Sequence, residues 1–264
     1  MASIAIENEA TEVARQLFST RKARADFTRQ LLETYDRSQD KDFLVIHNPG
    51  GWGSSSLDRC LEWEKSIVEG VKTTIDHMGY SSILTQYFRT RDSLWAHFLD
   101  IREQVKFFFQ GRYSQARVLA AQLKFLNEHS DRLRIIMIGV SQGAGFSNTV
   151  LRNLGEGHDV YSIELGTMFI HVPRRVVNDH TLAIDNNGIV PDPFVKCDLW
   201  AGITAYCAAF GRWLKYQAVR KPRRFTRCVH MPGHDYSWEY PGVKPKIETF
   251  LKTRFDRKAE EKKS

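Results

Sequence analysis

Gly139-Val140-Ser141-Gln142-Gly143 ends an apolar run that begins at Leu133, and small residues Ala144 and Gly145 follow it. A strand entering a Gly-x-Ser-x-Gly turn leaves its serine hydroxyl exposed, because glycines on either side remove the side chains that would crowd so sharp a strand-to-helix turn. Such a serine does covalent chemistry: it attacks an electrophilic carbon and passes the captured group on. The plainer account is a tight βα turn with an incidental serine.

A serine hydroxyl is a weak nucleophile until a base takes its proton, so a histidine and a group to orient it are needed as well. Among nine histidines, His234 is the best placed. It follows the β-rich run Phe225 to Met231 and the turn Pro232-Gly233, in the loop before the last helical segment. His230 falls inside that run, and His77, His97, His129 and His158 fall on helices or turns. For the orienting acid, Asp185 at the end of Thr181-Leu182-Ala183-Ile184 is favoured over Asp192, although Asp185-Asn186-Asn187-Gly188 is also good turn chemistry. The developing oxyanion needs N–H donors. The backbone of Gln142, with Gly51 or Trp52 in His47-Asn48-Pro49-Gly50-Gly51-Trp52-Gly53-Ser54, supplies candidates; Pro49 cannot donate. A phosphate-cradling loop is the rival for that stretch, but it lacks both Gly-Lys-Ser/Thr and Gly-x-Gly-x-x-Gly.

These side chains must be positioned by an alternation of strands and helices. Strands are predicted at Phe43 to His47, Ser82 to Phe88, Leu133 to Gly139, Val160 to Leu165, Thr181 to Asp185 and Phe225 to His230, with helical patterns between them. That is the signature of an α/β fold: a mainly parallel sheet with helices on both faces. Leu57, Leu61, Val68, Val71, Ile75 and Met78 share one helical face, with Ser56 as cap and Gly79 as stop. A helix at Gln115 to Asn127 puts Leu119, Leu123 and Leu126 together. A last helix from about Pro241 carries Val243, Ile247, Phe250 and Leu251. Gly155 or Gly157 is suited to end the helix behind Ser141.

Three divisions follow: an N-terminal helical extension over residues 1–41, a main domain over 42–255, and a charged tail over 256–264. Within the extension, Val13 and Leu17, then Phe27 and Leu31, are spaced to pack on the domain. Within the domain, an aromatic segment over 198–222 interrupts the alternation and reads as a cap or lid helix. Its Trp200, Tyr206, Phe210 and Trp213 would roof an acyl or aromatic group, or else pack as ordinary core.

Taken together, these residues resemble the α/β-hydrolase fold superfamily over roughly residues 42–255, in its serine esterase and lipase-like members. The order Ser141, Asp185, His234 matches that family's order of nucleophile, acid and histidine, and Ser-Gln-Gly-Ala resembles cutinase-type esterases. The resemblance implies an α/β-hydrolase-like domain with a helical cap insertion, cleaving an ester through an acyl-enzyme on Ser141 with no cofactor and no metal. The partner would be a small-molecule ester or acyl substrate. There is one departure. Many members carry Asp-x-Ile/Val-Val-Pro at the acid position, where Gly188-Ile189-Val190-Pro191 would align Asn187, so Asp185 or Asp192 must supply the carboxylate. Two alternatives stay open: an acyltransferase using the same three residues, and a non-catalytic relative that binds a small molecule or partner in the pocket.

Composition bounds the rest. A chain of 264 residues with 42% hydrophobic and 26% charged residues can bury a sizeable core. The absence of an opening basic and apolar leader, and of any long uninterrupted apolar run, leads to the expectation of a soluble cytoplasmic protein. Cys60, Cys197, Cys207 and Cys228 lack Cys-x-x-Cys spacing, which argues against a zinc site. The formal charge of +7 is concentrated in Lys215, Arg220, Lys221, Arg223, Arg224 and Arg227 and in the tail from Lys252 to Lys263. No aromatic-interleaved RNA motif or basic recognition helix accompanies it, so no nucleic-acid partner is expected. A solvated surface is the simpler account of that charge. Attachment to a membrane surface is the alternative, because an aromatic helix abuts the basic run.

Overall fold

A computed structural model describes residues 3–50, 57, 60–87, 114–219 and 231–256. The elements run α1 (Ile4–Leu17), α2 (Arg21–Ser38), β1 (Phe43–Asn48), α3 (Glu62–His77), β2 (Ser82–Gln86), α4 (Ser114–Glu128), β3 (Arg134–Val140), α5 (Gln142–Leu154), β4 (Val160–Leu165), β5 (Thr181–Ile184), α6 (Leu199–Ala218) and α7 (Lys244–Phe255). The fold is α/β. All five strands are parallel, in the spatial order β2-β1-β3-β4-β5. Because the chain passes from β2 back across β1 to β3, the order reverses between β1 and β3. Open parallel sheets form their ligand crevice at such a reversal, beyond the carboxyl ends of the strands.

Strand side chains point alternately to opposite faces, and that period sorts the core into two halves. Leu44, Ile46, Ile135 and Met137 join one cluster, covered by α1, α2, α4 and α5 through Ala14, Leu31, Leu123 and Phe146. Phe43, Val45, Ile136, Ile138 and Val140 join the other, covered by α3 and α7 through Ile67, Val71, Ile247 and Leu251. Continuous apolar strands are what a sheet covered on both faces requires.

The five strands fall within two residues of their expected positions at each end, and the expected strand at 225–230 lies outside the described residues. The helix after β1 starts later than expected. It begins at Glu62 with Leu61 in the cap position and no side-chain cap, while Ser56 lies outside the described residues. Gly79 follows it at φ 83°, and Gly155 closes α5 at φ 77°, both in backbone conformations that favour glycine.

Residues 3–38 form two capped helices. Ser3 and Thr20 accept from Ile6 and Ala23 N–H, and Ala10, Ala14, Phe27, Leu31 and Tyr35 are buried in the same cluster as β1 and β3. These helices cover apolar sheet surface. We therefore expect Leu31→Ala to lower unfolding stability by about 2–5 kcal/mol, the usual range for emptying a buried leucine site. Urea denaturation measures it, and a loss under about 1 kcal/mol would mean that α2 is only peripheral to the core.

Candidate functional site

Ser141 stands between β3 and α5 with φ 54° and ψ −113°, one of two non-glycine residues with positive φ among those described. Such a backbone costs on the order of 1–3 kcal/mol and persists only where the surroundings hold it. Here the Ser141 N–H donates to Leu165 O at 2.8 Å, and Ser141 O accepts from Ala144 and Gly145 N–H.

The flanking glycines are required by contact. A Cβ on Gly139 would lie 2.6 Å from Gly143 O, and one on Gly143 would lie 2.1 Å from Asn48 O and 2.8 Å from Pro49 O. The first turn of α5 is thereby pressed against the chain leaving β1. Gln142 is the first residue of α5, and the opening N–H groups of a helix lack intrahelical acceptors and carry partial positive charge. Its backbone can thus face a developing anion beside Ser141. Gly51 and Trp52 lie outside the described residues.

His234 reaches the same place from the other side of the sequence. A Cβ on Gly166, which is at φ 57° just past β4, would meet Asp192 Oδ2 at 2.7 Å, Tyr236 Cε2 at 2.7 Å and His234 Cε1 at 3.1 Å. The Ser141 backbone and the His234 ring thus border adjacent residues, Leu165 and Gly166, at the carboxyl end of β4. The segment bearing His234 is well anchored. The Trp238 ring fills the space where a Gly70 side chain would stand, at 2.1 Å, and Trp238 N–H donates to Ser66 Oγ at 3.1 Å. Tyr236 is fully buried, and Tyr240 Oη donates to Asp235 Oδ2 at 2.7 Å.

The carboxylate on the imidazole is Asp192, which corrects the preference for Asp185. His234 Nδ1 lies 2.8 Å from Asp192 Oδ2, which makes Nδ1 the protonated, donating nitrogen. Tyr236 Oη donates to the same oxygen at 2.6 Å, and Phe194 and Val195 N–H donate to Oδ1 at 2.8 and 3.4 Å. The edge of Phe194 also packs against the imidazole. Burial, and then the adjacent Asp192 charge, push the Tyr236 phenol far above its ordinary range, so it remains a donor.

Asp185 is held elsewhere. Arg175 grips it with two hydrogen bonds, Nη1 to Oδ1 at 2.8 Å and Nη2 to Oδ2. The reason is the period of the strand: Ile184 turns into the α3/α7 core, so Asp185 turns to the α5 side with Glu164. Asn187, aligned with the acid by motif, is a turn residue. Its Oδ1 accepts from Ile189 and Val190 N–H, and its Nδ2 donates to Asp235 O at 2.9 Å. An antiparallel bridge between Asn186 and Pro191 then returns the chain over the sheet and delivers Asp192.

Two further features were not apparent in the sequence. His47, Cys60 and Glu64, all buried, bring one potential metal-ligand atom each to within 4.8 Å of one another. His47 Nε2 and Glu64 Oε2 are 3.7 Å apart, so the three could hold a cation, or the acid and base could simply face each other. Tertiary contact, not Cys-x-x-Cys spacing, assembles them. Glu164 is fully buried on β4, accepting from Asn148 Nδ2 at 2.9 Å and Ser162 Oγ at 3.1 Å. Desolvation pushes its carboxyl up to about 7 against the opposing effects of Asn148 and Arg175.

A cavity of about 580 Å³ is lined by Leu151, His158, Val160, Asn178 and Thr181. It lies at the amino ends of β4 and β5, opposite Ser141, and therefore does not serve the serine. No helix among the described residues is long and apolar enough to cross a membrane. Neither protein-family models, curated proteins nor solved structures yield a match to this chain.

Glu164 generates a pH prediction with a definite sign. The folded protein holds this proton more tightly than the unfolded chain, whose carboxyl has the ordinary value of 4.5. Its contribution to stability is therefore complete below about pH 4.5 and is lost as pH rises toward about 7, by on the order of 3 kcal/mol at most. Glu164→Gln is expected to flatten that part of the pH profile, seen by comparing urea midpoints at acid and mildly alkaline pH. Identical pH profiles for the variant and the parent protein would mean that Glu164 does not titrate in this window.

Proposed function

We propose that this protein is a serine hydrolase that cleaves an ester bond through an acyl-enzyme on Ser141. The observation that carries this reading is the convergence of a backbone-strained serine and an aspartate-held histidine on Leu165 and Gly166. The parallel sheet reverses its order between β1 and β3, and Ser141 immediately follows β3, where such sheets bind ligands. This arrangement supports the α/β-hydrolase resemblance, with Asp192 in the acid's place.

In the proposed reaction, Ser141 Oγ attacks the ester carbonyl carbon while its proton passes to His234 Nε2. Asp192 holds Nδ1–H, fixes the tautomer and stabilises the imidazolium that forms. The carbonyl electrons move to oxygen, where Gln142 N–H and the amino end of α5 stabilise the negative charge. A second donor is assigned from the sequence motif to Gly51 or Trp52, which lie outside the described residues. Collapse breaks the bond to the alcohol oxygen, which takes the proton from His234. Water then repeats the sequence, releasing the acid and restoring Ser141. Each step conserves protons without a cofactor, and the substrate is a small-molecule ester. Tyr236 is a positioning residue, acting through Asp192.

A fluorophosphonate probe tests the nucleophile directly. The parent protein should label at neutral pH and Ser141→Ala should not. Folded parent protein that stays unlabelled would end the proposal.

The acid assignment has its own test, with p-nitrophenyl esters of short and medium acyl chains. Asp192→Asn should lower kcat by a factor on the order of 10⁴, as loss of the triad carboxylate does in a serine protease. Asp185→Asn should instead act mainly on stability, by loosening Arg175. A reversed pattern would return the role to Asp185.

A further inference from the structure

The aromatic helix expected to roof the pocket presents much of its apolar surface to solvent. Trp200, Ile203, Phe210 and Leu214 of α6 are 73%, 54%, 54% and 48% exposed, and Cys207 between them is exposed too. Their spacing of three, four, three and four residues sets all five on one helical face. Ala205 and Ala209 are buried on the other side, so the small residues face the body of the protein and the large ones face outward. Between 199 and 234 the sequence holds seven Lys and Arg and no Asp or Glu, so this segment accounts for an excess equal to the whole chain's +7.

We propose that this face of α6 is an interfacial docking surface for an anionic lipid bilayer. A bilayer is the occupant that satisfies both features at once: the apolar stripe enters the acyl boundary, while a sequence with seven Lys and Arg and no Asp or Glu between 199 and 234 favours anionic headgroups. Trp200, near one end of the stripe, belongs to the residue type that collects at membrane–water boundaries. A second copy of this chain is a poorer occupant, because each copy carries seven Lys and Arg and no Asp or Glu between 199 and 234, so pairing the stripes would bring like charge together. The helix lies on the membrane and does not cross it. Docking does not depend on the hydrolase reading. The substrate class it implies, an ester presented at a lipid surface, rests on that reading.

Sedimentation with phosphatidylcholine vesicles, with and without phosphatidylserine, tests the docking. The Ser141→Ala variant of the 264-residue chain is used, so that binding is scored apart from turnover. We expect pelleting with phosphatidylserine vesicles at about 0.1 M salt and its loss at about 1 M, where the Debye length falls to about 3 Å. Pure phosphatidylcholine should pellet little protein. Trp200→Ser combined with Phe210→Ser alters only exposed side chains, so folding should survive, as circular dichroism can verify. Vesicle binding should fall about tenfold or more. The proposal is overturned by negligible pelleting on anionic vesicles at low salt, or by undiminished binding of the folded double variant. It is equally overturned if the stripe instead drives self-association, seen as a dimer in sedimentation velocity that the double variant abolishes while vesicles bind nothing.

Discussion

A buried carboxylate organises the carboxyl end of the sheet. Asp192 is 1% exposed, and removing a charge from water costs several kcal/mol unless it is paired and bonded. Four donors meet it: the His234 ring, the Tyr236 hydroxyl and the Phe194 and Val195 N–H groups. Hydrogen bonds to a charged group contribute about 1.5–3 kcal/mol each, enough together to offset the burial. These bonds join residues far apart in sequence, so the loop after β5 and the segment before α7 are held as one unit. Gly166 provides the room, since any Cβ there would strike Asp192, Tyr236 and His234.

The serine is held by a different kind of constraint. Its backbone is strained, and close contact between α5 and the chain leaving β1 keeps it so, with glycine at 139 and 143 because backbone atoms occupy the Cβ positions. One half of the site thus depends on steric exclusion and the other on charge satisfaction. They border consecutive residues at the end of β4, with Leu165 O bonded to the Ser141 N–H and Gly166 beside the imidazole.

The face of the sheet opposite α3 and α7 carries polar groups with a structural task. Asn148 bonds Glu164 on β4 and both backbone groups of Val176, tying α5 to the loop before β5. Arg175 and Asp185 complete that junction. Asp185 has the residue type and chain position of a triad acid, yet its partner is an arginine. The outward stripe on α6 teaches the same lesson about composition: Trp200 and Phe210 are exposed where the helix turns Ala205 and Ala209 inward.

What the sequence by itself determined is local. Five parallel strands, the helices between them, the sharp turn at Ser141 and the stops at Gly79 and Gly155 follow from hydrophobic period, glycine placement and a motif whose sterics are contained in five residues. The position of His234 in a loop after a turn was legible for the same reason. The identity of the acid was not. Asp185 and Asp192 differ by seven residues, and only the reversal through Asn186 and Pro191, with the strand's two-residue alternation, decides which carboxylate arrives over Gly166. Tyr236 as a donor to Asp192, the meeting of His47, Cys60 and Glu64, the burial of Glu164 and the outward turn of α6 were likewise decided by tertiary structure. Each depends on contacts between segments that pattern and propensity describe only one at a time.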